Sequence, residues 1–176
     1  MSDVPCLETE RLLFQAPCRE DFEEFAAMWA DPDVARYTCG TPETPQAAWG
    51  RLLRYRGVWG VMGFGFWSVR DKQTGRFVGT IGFHDAHRDV TPSVMGVPEA
   101  GWVLASWCHG KGFATEGVSA ACRWLDTQTP YRRSVCLVSP RNTPSIRIAE
   151  KHGFVLFAKP FFMGEETLLF ERYAPE

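Results

Sequence analysis

The alternation of apolar and polar positions divides the chain into short segments. Residues 10–16 alternate in part before Pro17 interrupts them, which predicts a first strand. In 19–29, Phe22, Phe25, Ala26 and Trp29 fall at i, i+3, i+4 and i+7, one face of a helix, and Asp31-Pro32-Asp33 marks its end. Thr44-Pro45 reads as an N-cap followed by proline in the first helical turn. Ala48, Leu52 and Tyr55 share a face of that second helix, and Gly57 is its expected stop. The run 58–69, broken by Gly60, Gly63 and Gly65, reads as a loop entering a buried strand.

Strands follow at 65–70, 76–84 and 100–105, and Asp71-Lys72-Gln73-Thr74-Gly75 has the composition of a hairpin turn, so the first two should pair antiparallel. Val118, Ala121, Cys122 and Leu125 form the inner face of a helix over 113–127, with Gly112 ahead of it and Pro130 beyond. A β-branched run at 134–138, a helix over 143–151 ended by His152-Gly153, and strands at 154–158 and 166–173 complete the series. The expected product is a mixed sheet covered by helices. No repeat or linker divides it, so residues 1–176 are expected to form a single domain. The longest irregular connection, 85–98, is either a lip over a site or a plain solvent loop.

Composition narrows the functional classes. Nineteen basic and 21 acidic residues leave a net charge of −2, so no global field favours nucleic acid or an anionic membrane, and neither is an expected partner. The six cysteines are scattered, with no CxxC pair, and are read as reduced thiols. The opening MSDVPCLETERLLF has neither a basic n-region nor an apolar h-region, so the expected location is cytoplasmic. His84 and His87 are three apart; on a strand they would point to opposite faces, so no metal site is expected. Phe64, Phe66, Trp67 and Trp102 are candidates to wall a ligand cleft, with Phe161-Phe162 closing it.

The most informative stretch runs Glu99-Ala100-Gly101-Trp102-Val103-Leu104, then His109-Gly110-Lys111-Gly112-Phe113-Ala114-Thr115-Glu116-Gly117. A strand leads through a glycine loop into a helix. Such a loop leaves the backbone N–H groups of Gly110 to Ala114 free at the positive end of a helix dipole, where a pyrophosphate can approach closely. Two familiar phosphate loops fail on spacing: GxxxxGK[ST] would need Gly at 105 and Ser or Thr at 112, and GxGxxG would need Gly at 115.

GKGFATEG after a strand ending in EAGWVL resembles the acetyl-coenzyme-A loop of the GNAT superfamily, in its ribosomal-protein N-terminal (alanine/serine) acetyltransferase-like branch. The family's Q/R-x-x-G-x-G/A falls on His109, Gly110, Lys111, Gly112, Phe113 and Ala114, with His109 departing from the pattern. Asn142-Thr143-Pro144-Ser145 with Ala149-Glu150-Lys151-His152-Gly153-Phe154 resembles its N-x-x-S…EK-x-GF segment, and Glu8-Thr9-Glu10-Arg11-Leu12 its opening strand. The resemblance implies an α/β (α+β) GNAT fold: a mixed, mostly antiparallel sheet with a V-shaped splay between two parallel strands, 100–105 and 134–138. Acetyl-CoA is the implied cosubstrate, with no metal, and an amine is the implied acceptor; a homodimer is common in that family.

The same resemblance implies that Val103 and Leu104 offer the edge along which the pantetheine lies. His109, Gly110, Lys111, Gly112, Phe113, Ala114 and Thr115 would hold the pyrophosphate, and Asn142 and Ser145 would reach the thioester region. Glu99 is implied as the general base. Many relatives carry a tyrosine as thiolate acid after the Asn helix start; none stands between Asn142 and Phe154 here, so Ser145 is the remaining donor. Plainer roles stay open: Glu99 as a solvent-facing carboxylate, Asn142 as a helix N-cap, Ser145 as a surface residue, and Lys111 and Arg123 as solvated charges. The expected activity is N-acetylation of a protein or peptide N-terminal amine. A small amine (amino acid, polyamine or drug) and a catalytically silent acyl-CoA sensor are the competing readings.

Overall fold

The computed structural model describes residues 4–175; residues 1–3, which the reading of a leaderless N-terminus takes in, lie outside the described residues. In chain order the elements are β1 (Leu7–Glu8), β2 (Leu12–Gln15), α1 (Phe22–Ala30), α2 (Pro32–Ala35), α3 (Pro45–Met62), β3 (Phe66–Asp71), β4 (Phe77–His84) and β5 (Glu99–Leu104). They continue as α4 (Phe113–Gln128), β6 (Arg133–Val138), α5 (Thr143–Lys151), β7 (Val155–Ala158), β8 (Phe161–Phe162), β9 (Glu165–Glu166) and β10 (Leu168–Tyr173). Strands β1-β2-β3-β4-β5-β6-β10-β7 form one sheet in that order, and β8 and β9 make a separate hairpin. Every neighbouring pair in the large sheet is antiparallel except β5 and β6, which run parallel.

Alternation along the strands sends side chains to two layers. Trp67, Val69, Val78 and Ile81 face a core shared with Val118, Ala121, Cys122 and Leu125 of α4. Phe66 and Phe77 face the other way, against Phe25 and Trp29 of α1 and Leu52 and Tyr55 of α3. A Cβ at Gly117 would stand 2.3 Å from Ile81 Cδ1, so its absence lets α4 settle against β4 at this point.

Two expected boundaries are corrected, and one carries a second role. Helix α3 does not stop at Gly57; it runs to Met62, because Trp59 is buried one turn after Tyr55 and that burial outweighs the roughly 1 kcal/mol that glycine costs a helix interior. The stop is Gly63, whose φ of 73° gives the left-handed C-terminal cap, so the first part of 58–69 is helix rather than loop. Asp31-Pro32 both ends α1 and opens α2: the Asp31 side chain accepts from Asp33 N, and Pro32 takes a first-turn position. The connection 85–98 is not a plain solvent loop, since Val90 and Val94 pack beneath it on Val135 and Leu169.

Candidate active site

Strands β5 and β6 are joined at one end only. Val135 N donates to Pro98 O at 3.0 Å and Glu99 stands opposite Val135; the strands share no further register pair. Between buried ends, Gly101, Trp102 and Val103 of β5 are only half-buried, so main-chain groups of a central strand stay accessible. This is the expected splay. An unpaired strand edge inside a protein needs hydrogen-bonding partners, and an extended ligand with amide groups can supply them.

Past Leu104 the chain turns through Ser106–Cys108 and enters α4. His109 Nε2 donates to Leu104 O at 2.8 Å, tying the loop to the end of β5, so the residue that departs from the family pattern anchors the loop. Gly110 and Gly112 have φ of 72° and 80°, a region that L side chains enter only at a cost. Gly112 is the N-cap of α4 and offers no side-chain cap, which leaves the helix's first N–H groups available to an anion. The opening segment braces the same place: Thr9 Oγ1 donates to Glu116 Oε1 at 2.5 Å, Arg11 Nε to Glu116 Oε2 at 2.6 Å, and Arg11 Nη1 to Lys111 O at 2.9 Å. Burial would raise the Glu116 carboxyl, but these hydrogen bonds outweigh it and hold it below the usual carboxylate range.

A groove of about 640 Å³ runs from this loop along the splay, lined by Val103, Leu104, His109, Gly110, Gly112, Phe113, Ala114, Thr115, Asn142 and Ser145. Lys111 lies outside the groove lining, its Nζ 5.2 Å from the Trp107 ring centroid. Arg123 is likewise outside the groove lining. Asn142 is the N-cap of α5, its Oδ1 accepting from Ser145 N at 3.3 Å, and it lines the groove as well. Ser145 is not a surface residue: Trp102 Nε1 donates to its Oγ at 3.3 Å across the splay. The uncapped α4 terminus and the two glycines fit a pyrophosphate, and the open β5 edge fits a pantetheine arm.

A second cavity, of about 230 Å³, opens on the other side of the splay. Tyr37, Thr38, Trp102, Val103, Asn142 and Ser145 line both. Its aromatic walls are Trp29, Tyr37, Tyr55, Phe66 and Trp102. Of the expected wall residues, Phe64 and Trp67 belong instead to the core, and Phe161-Phe162 form β8 outside the cavity, so those assignments are corrected. Trp29, Tyr37 and Tyr55 were not anticipated, because only the packing of α1–α3 over β3 and β4 brings them here.

Glu99 lines this second cavity, 6% exposed, which excludes a solvent-facing carboxylate. Arg88 Nε donates to Oε2 at 2.6 Å and Arg88 Nη2 to Oε1 at 2.7 Å, while His84 Nε2 donates to Oε1 at 3.2 Å. Desolvation pushes the Glu99 pKa up, yet the His84 and Arg88 hydrogen bonds and charges outweigh it and hold it below the ordinary value of 4.5. His87 turns away to Asp85, 3.3 Å from its carboxylate. Among the cysteines, burial pushes Cys108 and Cys122 up to about 11 and Cys136 well above its ordinary value, so these thiols stay protonated.

Comparison with known proteins agrees with this geometry. Residues 11–155 match the family described as acetyltransferase (GNAT) domain. The uncharacterized N-acetyltransferase p20 of Bacillus licheniformis is 30% identical over 149 residues, covering 84% of this chain and 81% of p20. The crystal structure of an acetyltransferase from Agrobacterium tumefaciens str. C58 superposes with a TM-score of 0.82 at 26% identity, covering 98% of this chain and 96% of that one. A ribosomal-protein-S5-alanine acetyltransferase from Vibrio fischeri shares the fold, with a TM-score of 0.77 at 20% identity over 98% of each chain. With a phosphate-cradling loop, a splayed parallel pair and a family match over most of its length, the chain belongs to the GNAT acetyltransferases and is an N-acetyltransferase that uses acetyl-CoA as cosubstrate.

Proposed function

We propose that the acetyl group passes directly from acetyl-CoA to the terminal amine of a protein or peptide. The observation that carries this reading is the meeting of the two cavities at six shared residues, Trp102 and Val103 of β5 with Tyr37 and Thr38 after α2 and Asn142 and Ser145 at the start of α5, one cavity bearing the glycine loop and the other Glu99. Bound in the groove, acetyl-CoA supplies an electrophilic thioester carbonyl. Glu99 is the carboxylate of the acceptor cavity, paired with Arg88 and His84, and Ser145 lines both cavities, where its hydroxyl would meet the departing thiolate. Because Trp102 Nε1 donates to Ser145 Oγ, the serine proton is left free to point elsewhere. Transfer is direct because Cys136, which lines the acceptor cavity, is a protonated thiol and a poor nucleophile.

A second reading, a small-molecule amine as acceptor, is favoured by one observation. At about 230 Å³ and walled by five aromatic rings, the acceptor cavity takes an amino-acid-sized group and not a long segment. A peptide would have to insert only its first residue. The fold shared with the Vibrio fischeri ribosomal-protein-S5-alanine acetyltransferase supports the peptide reading at the level of architecture.

Coenzyme A release with acetyl-CoA and a panel of amines tests the choice. Peptides beginning with Ala or Ser should turn over with higher kcat/KM than free amino acids and polyamines. The reverse order would overturn the peptide reading in favour of the small amine. Acetyl-CoA should also raise the melting midpoint, since a ligand that binds only the native state stabilises it by mass action; tight binding without turnover of any amine would return the sensor reading.

A further inference from the structure

Glu99 lines the acceptor cavity, but both of its oxygens are already engaged. Arg88 binds the carboxylate through two nitrogens and His84 through a third, and the group is almost wholly buried. A carboxylate neutralised in this way has little affinity for a further proton. His84 is placed differently. It ends β4 directly opposite Glu99 in the antiparallel register, its side chain is 26% exposed, and it lines the acceptor cavity. Nε2 faces Glu99, and among the described residues no hydrogen bond reaches Nδ1. The Phe66 ring meets the imidazole edge-on at 5.3 Å and limits its rotation.

We infer that His84 is the proton acceptor of the transfer and Glu99 its positioning carboxylate. This rests on the amine-acetylation reading above and assigns its proton. A carboxylate on Nε2–H selects the tautomer whose Nδ1 carries the free lone pair, and it stabilises the imidazolium once formed. The nitrogen lone pair of the amine forms the new N–C bond, and the C–S bond breaks with its electron pair going to sulfur. The proton released by nitrogen goes to His84 Nδ1 and on to solvent, and the thiolate takes a proton from solvent, directly or relayed through the Ser145 hydroxyl, which regains its own from water. Arg88 holds Glu99 ionised throughout, and its guanidinium packs over the Phe162 ring at 4.8 Å, which ties the 85–98 connection to the β8–β9 hairpin.

The charged and titratable groups that share the cavity with His84 come from every element around it: Glu99 on β5, Arg88 from the 85–98 connection, Tyr37 and Cys39 after α2, Arg51 and Tyr55 on α3, and Cys136 on β6. Glu99 is the one carboxylate among them.

The test is the pH dependence of kcat/KM for wild type, His84→Gln, His84→Ala and Glu99→Gln, with the acetyl-CoA melting shift measured on each. His84→Gln should lose about 100-fold at neutral pH, the lower end of the range for a general base. Its rate should then follow the deprotonation of the amine itself, with the melting shift retained. Imidazole should restore part of the rate to His84→Ala. Glu99→Gln keeps an oxygen for Nε2–H, so it should lose less than His84→Gln and keep the acidic limb of the profile. A His84→Gln profile that matches wild type, or a Glu99→Gln variant that loses the limb while His84→Ala gains nothing from imidazole, overturns the assignment and leaves the coenzyme site standing. No melting shift in wild type would overturn both.

Discussion

Arg11 and Glu116 are 105 positions apart and meet at 2.6 Å, joining the start of the chain to the first turn of α4. Glu116 also accepts from Thr9 Oγ1 and from the Arg11 main-chain N–H, and Arg11 continues to the Lys111 carbonyl and over the Phe113 ring. One carboxylate therefore organises the opening segment around the loop proposed to receive the pyrophosphate. An acidic side chain in the first turn of a helix is also favoured by the helix dipole.

Glu116→Ala should loosen that loop. It strips the acceptor from the Thr9 hydroxyl and the Arg11 N–H, each a loss of about 1 kcal/mol where water cannot fully replace it. The ion pair itself adds little, because Arg11 is 41% exposed and its charge is screened by solvent. The expected result is a lower melting midpoint together with a higher KM for acetyl-CoA and a nearly unchanged kcat. A KM equal to wild type would show that the loop holds its shape without the brace.

Gly112→Ala tests the backbone rather than the side chains. At φ 80° an alanine costs about 1–2 kcal/mol, while its Cβ would meet only Arg11 Nη2, at 3.4 Å, which can move aside. The main effect is conformational strain at the phosphate loop. Acetyl-CoA affinity should fall about tenfold, each 1.4 kcal/mol being worth one decade. Isothermal calorimetry would read it, and an unchanged affinity would mean that the anion is not held by these N–H groups.

Acidification should destabilise the fold through Glu99 and Glu116. Both are held below the value of 4.5 that an unperturbed glutamate has, so the unfolded chain binds protons first as pH falls. The stability they contribute is complete above that value and is lost as pH drops through their lower folded values. Melting midpoints should be flat near neutrality and decline below about pH 4.5, and Glu116→Gln should show a shallower decline. An equal slope in the variant would remove Glu116 from the account.

Much of this protein is local and was therefore legible in its residues. Helix faces such as Phe22/Phe25/Ala26/Trp29, the Asp71–Gly75 turn and the Gly112 entry to α4 each depend on neighbours a few positions away, and the structure has them as expected. The Gly57 stop failed for the opposite reason: the burial of Trp59, decided by a strand not yet formed at that point in the chain, overrode a local preference. The glycine loop was readable because an anion site at a helix terminus is made of consecutive main-chain groups. The acceptor side was legible only in part: Glu99, Phe66 and Trp102 were named, but Trp29, Tyr55, His84 and Arg88 lie far apart in the chain and join them only when α1 and α3 cover the sheet. Likewise, His84 facing Glu99 is a matter of register: β4 and β5 must pair across a 14-residue connection in one alignment, because a slip by one position turns a side chain to the other face. The sequence by itself determined the glycine loop at the start of α4 and the family the chain belongs to, whereas tertiary packing decided which further groups line the second cavity, because those contacts are made between elements and not within them.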